Sequence, residues 1–260
     1  MSSFHLSSER LDKAIVATHR RNAERAPTDL SCFDERALGS EKVRAAVVFF
    51  LENLYAIEAA GAANLAQLAR HTPVGSLRAA YGAQMSDEVA HATLLRRYLV
   101  ECLGVRELRE HPGSVAARTL GIWVQRHPLL GVECITLPIE IYAAHLLEEF
   151  AQHVDEPALT AMLLHIQKDE ARHKVMNTEA VVLLERSGMG SSGFMQARRK
   201  ATRAATTWFT KRVLNGLLRR HCGALGISWN ELYDRSMDEI DAALAQQRAL
   251  ALDSPHGETS

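Results

Sequence analysis

The sequence predicts an all-α protein: a four-helix bundle over residues 41–186 with additional helices at both ends, folded as a single domain of 260 residues. Three observations predict it. Only seven prolines and fifteen glycines punctuate the chain. β-Branched alternation is scarce, whereas Ala, Leu, Glu and Arg, all strong helix formers, abound. Hydrophobic residues make up 47% of the chain, the level of a globular protein with a sizeable core.

The elements follow in order. Residues 7–26 read as a charged amphipathic helix, followed by a loop rich in Pro, Cys and Gly that runs to about residue 40. Ser40 is placed as the N-cap of a helix over 41–70, which His71-Thr72-Pro73 ends. A second helix covers 74–103. Residues 104–127 form a longer connection, with Pro112 and Gly113 as breakers and a short helix over 114–125. A third helix spans 130–153 and a fourth 157–186. The turn between them, Asp155-Glu156-Pro157, puts proline in the first helical turn, where its missing N–H costs nothing. A Gly- and Ser-rich break over 187–193 precedes a basic helix at 194–221 and a last helix at 228–250, and the tail at 253–260 is expected to fray. Two hairpins joined by a long crossover result, the connectivity that ferritin-like bundles use.

Thirty Lys and Arg residues nearly balance thirty-one Asp and Glu. No global field therefore selects nucleic acid, an anionic membrane or an acidic partner, and neither nucleic acid nor a membrane is expected. The first ten residues lack the apolar core of a secretory signal, and the longest apolar runs fall short of a spanning helix. A cytoplasmic protein is expected. Cys32, Cys102, Cys134 and Cys222 lie far apart and form no Cys-x-x-Cys pair. That argues against a zinc ribbon, a rubredoxin-type iron centre and a disulfide framework.

The chemistry lies in a motif that occurs twice, as Asp87-Glu88-Val89-Ala90-His91 and as Asp169-Glu170-Ala171-Arg172-His173. Residues three apart share a helix face, so Glu88 with His91, and Glu170 with His173, can each point a carboxylate and an imidazole at one place. In an antiparallel hairpin, residues equally far from the turn lie level, because each residue rises about 1.5 Å. Glu58 precedes Pro73 by fifteen residues and Glu88 follows it by fifteen; Glu140 and Glu170 stand in the same relation to Asp155. Four carboxylates meeting in a bundle core repel one another prohibitively unless counter-ions join them. Two divalent cations and two neutral imidazoles make the set neutral. Hard oxygens with a minority of nitrogen donors suit iron, or a manganese–iron pair, better than structural zinc.

Asp87 and Asp169 are placed to accept hydrogen bonds from the histidine of the opposite hairpin, Asp87 from His173 and Asp169 from His91, fixing their tautomers. Small residues beside the glutamates (Ala59 to Ala63, Ala143, Ala144) leave room for a small ligand or allow close packing. Pro138, two residues before Glu140, is expected to kink the third helix or mark its start. Glu52, Glu133, Glu148 and Glu149 are alternative carboxylates, each with an exposed helix face as the plain reading, and Glu133, two turns before Glu140, is the foremost extra inward group. His145 and His165 are read as lying beside the centre or on the surface, and Tyr55, Tyr81, Gln84, Thr136 and Asn177 as core packing or cavity lining. The basic residues of 198–220 read as a solvated face, with attraction of an acidic redox partner or nucleic acid as the alternative.

At these residues, over 41–186, the chain resembles the di-iron carboxylate oxygenases and oxidases of the ferritin-like superfamily. That group includes the ribonucleotide reductase small subunit, bacterial multicomponent monooxygenases, acyl carrier protein desaturases and p-aminobenzoate N-oxygenases. The Asp-Glu-x-Arg-His form at Asp169 to His173 and the paired aspartates carry the likeness. The resemblance implies the ligand set Glu58, Glu88, His91, Glu140, Glu170 and His173, with Glu88 and Glu170 bridging two iron ions. It implies dioxygen-dependent oxidation of a small organic molecule by hydroxylation, N-oxygenation, desaturation or oxidative cleavage. It further implies a ferredoxin or reductase as electron donor, and a homodimer is compatible with it. The chain departs from the N-oxygenases at Ile166, where they carry a further histidine. The alternatives are an iron-handling ferroxidase and a non-catalytic helical scaffold.

Overall fold

The computed structural model describes residues 11, 13, 15, 16, 20, 29–109, 126–190, 192–209, 211, 212 and 215–252. Among them no strand occurs, and a 3₁₀ turn, Glu35–Leu38, precedes seven helices. These are α1 (Glu41–His71), α2 (Gly75–Arg97), α3 (Pro128–His153), α4 (Pro157–Arg186), α5 (Gly193–Phe209), α6 (Asn215–Ala224) and α7 (Trp229–Leu252). The helix expected at 114–125 and the tail at 253–260 lie outside the described residues. Of the helix expected at 7–26 only five residues are described, all helical, with Leu11 fully buried.

Helix ends follow local chemistry. Ser40 caps α1 by accepting the Val43 N–H at 3.3 Å, and the chain turns through Thr72 and Pro73 into α2. Glu156 caps α4 from a fully buried position. Its carboxylate accepts the N–H groups of Ala158 and Leu159 at 3.2 and 2.7 Å, the Asp34 N–H at 3.0 Å and the Tyr98 hydroxyl at 2.6 Å. One side chain thus ties the second hairpin to the π-turn that follows α2, Tyr98–Cys102, and to the segment before α1. Glu156→Ala strands four donors, a cap being worth about 0.5–2 kcal/mol and each buried unpaired group about 1–3. The expected loss is about 3–5 kcal/mol, read as a lowered urea midpoint at unchanged slope.

α1 packs along α2 and α3 along α4, so the chain forms two helical hairpins, and α2 meets α4 where they face. α7 lies across α3 and α4, where Leu137 and Ile141 meet Ile240 and Leu244. α6 lies on α1, with His221 stacked on Phe49 at 3.7 Å between ring centroids. The apolar interior is split. One cluster gathers Phe50, Leu54, Leu95, Phe150 and Ile166, and the other Leu65, Leu77, Tyr81, Met176 and Val181. Along each helix the motif glutamates fall between the residues of these two clusters, so a polar layer is enclosed by apolar ones.

Three expectations are corrected. α3 begins at Pro128 rather than at 130, and Pro138 stands, in keeping with the expected helix start, in the first turn of its regular α-helical part, Leu137–His153, the turn before it, Val132–Thr136, being a π-turn. Its wider loop accommodates a ring that would otherwise clash with the carbonyl four residues back. The basic helix expected at 194–221 is described from Gly193 to Phe209 as α5 and from Asn215 to Ala224 as α6, with residues 211 and 212 between them π-helical. Finally, α1 and α3 do reach the length and mean hydropathy, 1.4, of a membrane span. Both are hairpin helices, and they bury Glu52, Glu58, Glu133 and Glu140, which is where their apolar neighbours point. Among the described residues the cysteines are free, and Cys134 and Cys222 are buried as packing groups.

Candidate metal centre

The six sequence-predicted donors come from four helices: Glu58 from α1, Glu88 and His91 from α2, Glu140 from α3, Glu170 and His173 from α4. None is more than 6% exposed. His91 Nδ1 lies 3.2 Å from Glu58 Oε2 and 3.4 Å from Glu170 Oε1. His173 Nδ1 lies 3.4 Å from Glu88 Oε1, 3.5 Å from Glu170 Oε2 and 3.6 Å from Glu140 Oε2. Donor atoms of Glu58, Glu88, His91 and Glu170 fall within 4.8 Å of one another, as do those of Glu88, Glu140 and His173. Glu88 belongs to both groups, and Glu170 lies beside both imidazoles. Buried glutamate and histidine groups able to hold metal are therefore present, in an arrangement compatible with two ions.

The outward nitrogens of the imidazoles meet the paired aspartates across the hairpins. His91 Nε2 lies 2.9 Å from Asp169 Oδ2 and His173 Nε2 lies 3.1 Å from Asp87 Oδ2. These are the two pairings the sequence predicts. Arg172 ties the aspartates together, at 2.7 Å from Asp169 and 3.3 Å from Asp87. An aspartate that takes the Nε2 proton leaves the Nδ1 lone pair turned inward. Inward, however, there are only carboxylate oxygens. His173 Nδ1 and Glu170 Oε1 are buried and have no hydrogen-bond partner. Lone pairs facing lone pairs at 3.2–3.6 Å need a proton or a cation between them, so the donor set fits metal ions.

Electrostatics gives the same result. Burial pushes the Glu58 carboxyl up to about 8, against the pull of its hydrogen bond with Glu88. Burial and the neighbouring Glu140 push Glu170 to about 8. Glu88 is raised well above the ordinary range by burial and Glu58, and burial also raises Glu140. For His173 burial favours the neutral ring, but Glu170, Asp87 and Glu140 outweigh it and raise its proton affinity. Without metal, then, the centre holds protons where ions would sit.

A cavity of about 50 Å³ adjoins the glutamates between α1 and α3. Its apolar walls include Ala56, Ala60, Gly61, Ile135, Ile139 and Ala143, and its polar lining is Asn64, Thr136 and the glutamates Glu58, Glu88, Glu140 and Glu170. Gly61 also borders the centre: a Cβ there would stand in van der Waals contact with Glu88 Oε2, at 3.4 Å.

The remaining sequence candidates lie elsewhere or play other parts. Glu133 does not face the centre; it is buried and pairs with Arg199 and Arg203 of α5. The two arginines are thereby removed from the solvated face expected of the basic stretch. Glu52 is not exposed, being 3% accessible and accepting the Arg109 N–H at 3.0 Å. Glu149 pairs with Arg235 at 2.7 Å, Glu148 and His165 are half-buried, and His145 contacts Glu239 of α7 at 2.6 Å. Tyr55 packs in the core, while Tyr81 and Asn177 are buried with unpaired polar atoms. Two residues carry more than sequence reasoning gave them. Gln84 donates from Nε2 to Glu140 Oε1 at 2.6 Å, and Arg172 braces both aspartates. The signals were present: Gln84 lies one turn before Glu88, and Arg172 lies three residues after Asp169. Comparison with protein-family models, with curated proteins and with solved structures finds no match for this chain.

Proposed function

We propose that this chain is a ferritin-like di-iron oxidoreductase that uses dioxygen to oxidise a small organic molecule. The observation that carries the reading is the meeting of four buried glutamates and two inward Nδ1 atoms, His173 Nδ1 without a hydrogen-bond partner and His91 Nδ1 facing Glu58 Oε2 at 3.2 Å. Glu58, Glu88, His91 and Glu170 would hold one ion, and Glu88, Glu140 and His173 the other. Iron, or a manganese–iron pair, suits oxygen-rich donors of this kind, and such an ion pair when bound supplies redox electrons and a binding place for dioxygen. Asp87 and Asp169 hold the Nε2 protons and so keep both imidazoles as Nδ1 donors. The protons that Glu58 and Glu170 carry in the metal-free protein leave when ions are loaded. The apolar clusters on either side exclude water. The small cavity beside the glutamates, which leaves space next to the centre, supports this reading. By the resemblance, electrons come from a ferredoxin or reductase.

The test loads metal-free protein with ferrous iron under anaerobic conditions and then admits oxygen. Oxygen uptake in proportion to protein, with a transient visible absorption, is expected. Neither uptake nor absorption in iron-loaded protein overturns the reading.

A further inference from the structure

The two halves of the centre are related by a repeat in the chain. Glu58 and Glu140, Asp87 and Asp169, Glu88 and Glu170, and His91 and His173 are all separated by the same number of residues. At that separation Gln84 corresponds to Ile166, so the repeat breaks one turn before each motif glutamate. Both side chains are fully buried. Ile166 belongs to the apolar cluster that holds Met162 and Leu163. Gln84 instead turns its amide into the centre, where Nε2 donates to Glu140 Oε1 at 2.6 Å and to Glu88 Oε1 at 3.3 Å. Its own Oε1 is buried without a partner.

An N–H given to a carboxylate oxygen engages lone-pair density that a cation would otherwise use. Glu140 therefore has Oε2, the oxygen 3.6 Å from His173 Nδ1, as its free donor. Glu58 stands in the corresponding place in the other half, and there Ile166 offers no N–H. The donor groups differ in the same sense, with four side chains around the Glu58 position and three around the Glu140 position.

We infer that the two metal positions are unequal: the one among Glu58, Glu88, His91 and Glu170 fills first, the one among Glu88, Glu140 and His173 fills second and keeps open coordination, and Gln84 sets the difference. This rests on the proposal that the six side chains hold two ions. Gln84 acts as a positioning residue, through Glu140.

Manganous ion titrated into metal-free protein tests it, followed by calorimetry and electron paramagnetic resonance. Two resolved steps are expected, the second at least about tenfold weaker, the range by which outer groups tune metal affinity. The spectrum of an isolated ion should precede that of a coupled pair. Two ions entering in one step, with the coupled spectrum from the start, overturn the inequality but leave the two-metal reading standing. No manganese bound at all sinks the two-metal reading instead. Gln84→Leu, which copies the apolar character of the other half, should tighten the second step toward the first by about tenfold; an unchanged or weaker second step removes Gln84 from the explanation. Ile166→Gln should weaken the first step, and an unchanged first step is equally contrary. Either variant carries the test should the other fail to fold.

Discussion

Glu170→Ala lowers the metal content of protein grown with ample iron from about two ions per chain to well under one, while Glu149→Ala leaves it unchanged. Glu170 lies beside both imidazoles, at 3.4 Å from His91 Nδ1 and 3.5 Å from His173 Nδ1, so its loss takes a donor from the position that fills first and disturbs the border of the other. Glu149 is the matched control: it is also a helical glutamate of the second hairpin, but its carboxylate is engaged by Arg235. The contrast separates loss of a ligand from loss of the fold only beside the stability of the metal-free proteins, since truncating a buried side chain also leaves a cavity. Metal analysis after gel filtration, beside a thermal melt of the metal-free proteins, reads both quantities. Equal metal retention in the two variants overturns the ligand assignment.

The stability of the metal-free protein falls as pH rises from about 5 toward 8 and beyond. Glu58 and Glu170 hold protons in the folded state up to about 8, whereas in the unfolded chain they release them near 4.3. A group whose affinity for protons is higher in the folded state stabilises fully below its unfolded pKa. That contribution is lost as pH rises through the folded value. His173, also raised, acts in the same direction above its ordinary range. Each tenfold difference in proton affinity is worth about 1.4 kcal/mol, so the combined loss is on the order of several kcal/mol. Added metal reverses it, since ions replace the protons and a ligand at about a thousand times its dissociation constant contributes about 4 kcal/mol. Urea unfolding at pH 5.5 and 8.5, with chelator and with manganous ion, measures this. A metal-free midpoint that rises with pH contradicts it.

Much of the centre was legible because helices convert sequence spacing into geometry with few free parameters. The Glu-x-x-His spacing fixed which side chains share a face, and the position of Glu58 and Glu140 opposite the turns at Pro73 and Asp155 fixed their level. The cross-hairpin pairs of Asp87 with His173 and Asp169 with His91 followed from those two rules. What was not legible depends on side-chain reach and on contacts between distant elements. Glu133 lies two turns from Glu140, yet the π-turn at Val132–Thr136 changes the register, and Arg199 and Arg203 of α5 draw its carboxylate away. The burial of Glu52 depends on the Arg109 backbone, which no periodicity reports. Gln84 could be placed on the right face, but only coordinates distinguish an amide packed among apolar groups from one aimed at Glu140.

The central claim is that two ions sit among these six side chains, and anomalous X-ray diffraction at the iron edge on crystals of the iron-loaded protein tests it most directly. Two peaks about 3.5–4 Å apart are expected, one beside His91 Nδ1 and Glu58, the other beside His173 Nδ1 and Glu140. Iron-loaded crystals with no peak between the hairpins, or with peaks only at surface carboxylates, contradict it.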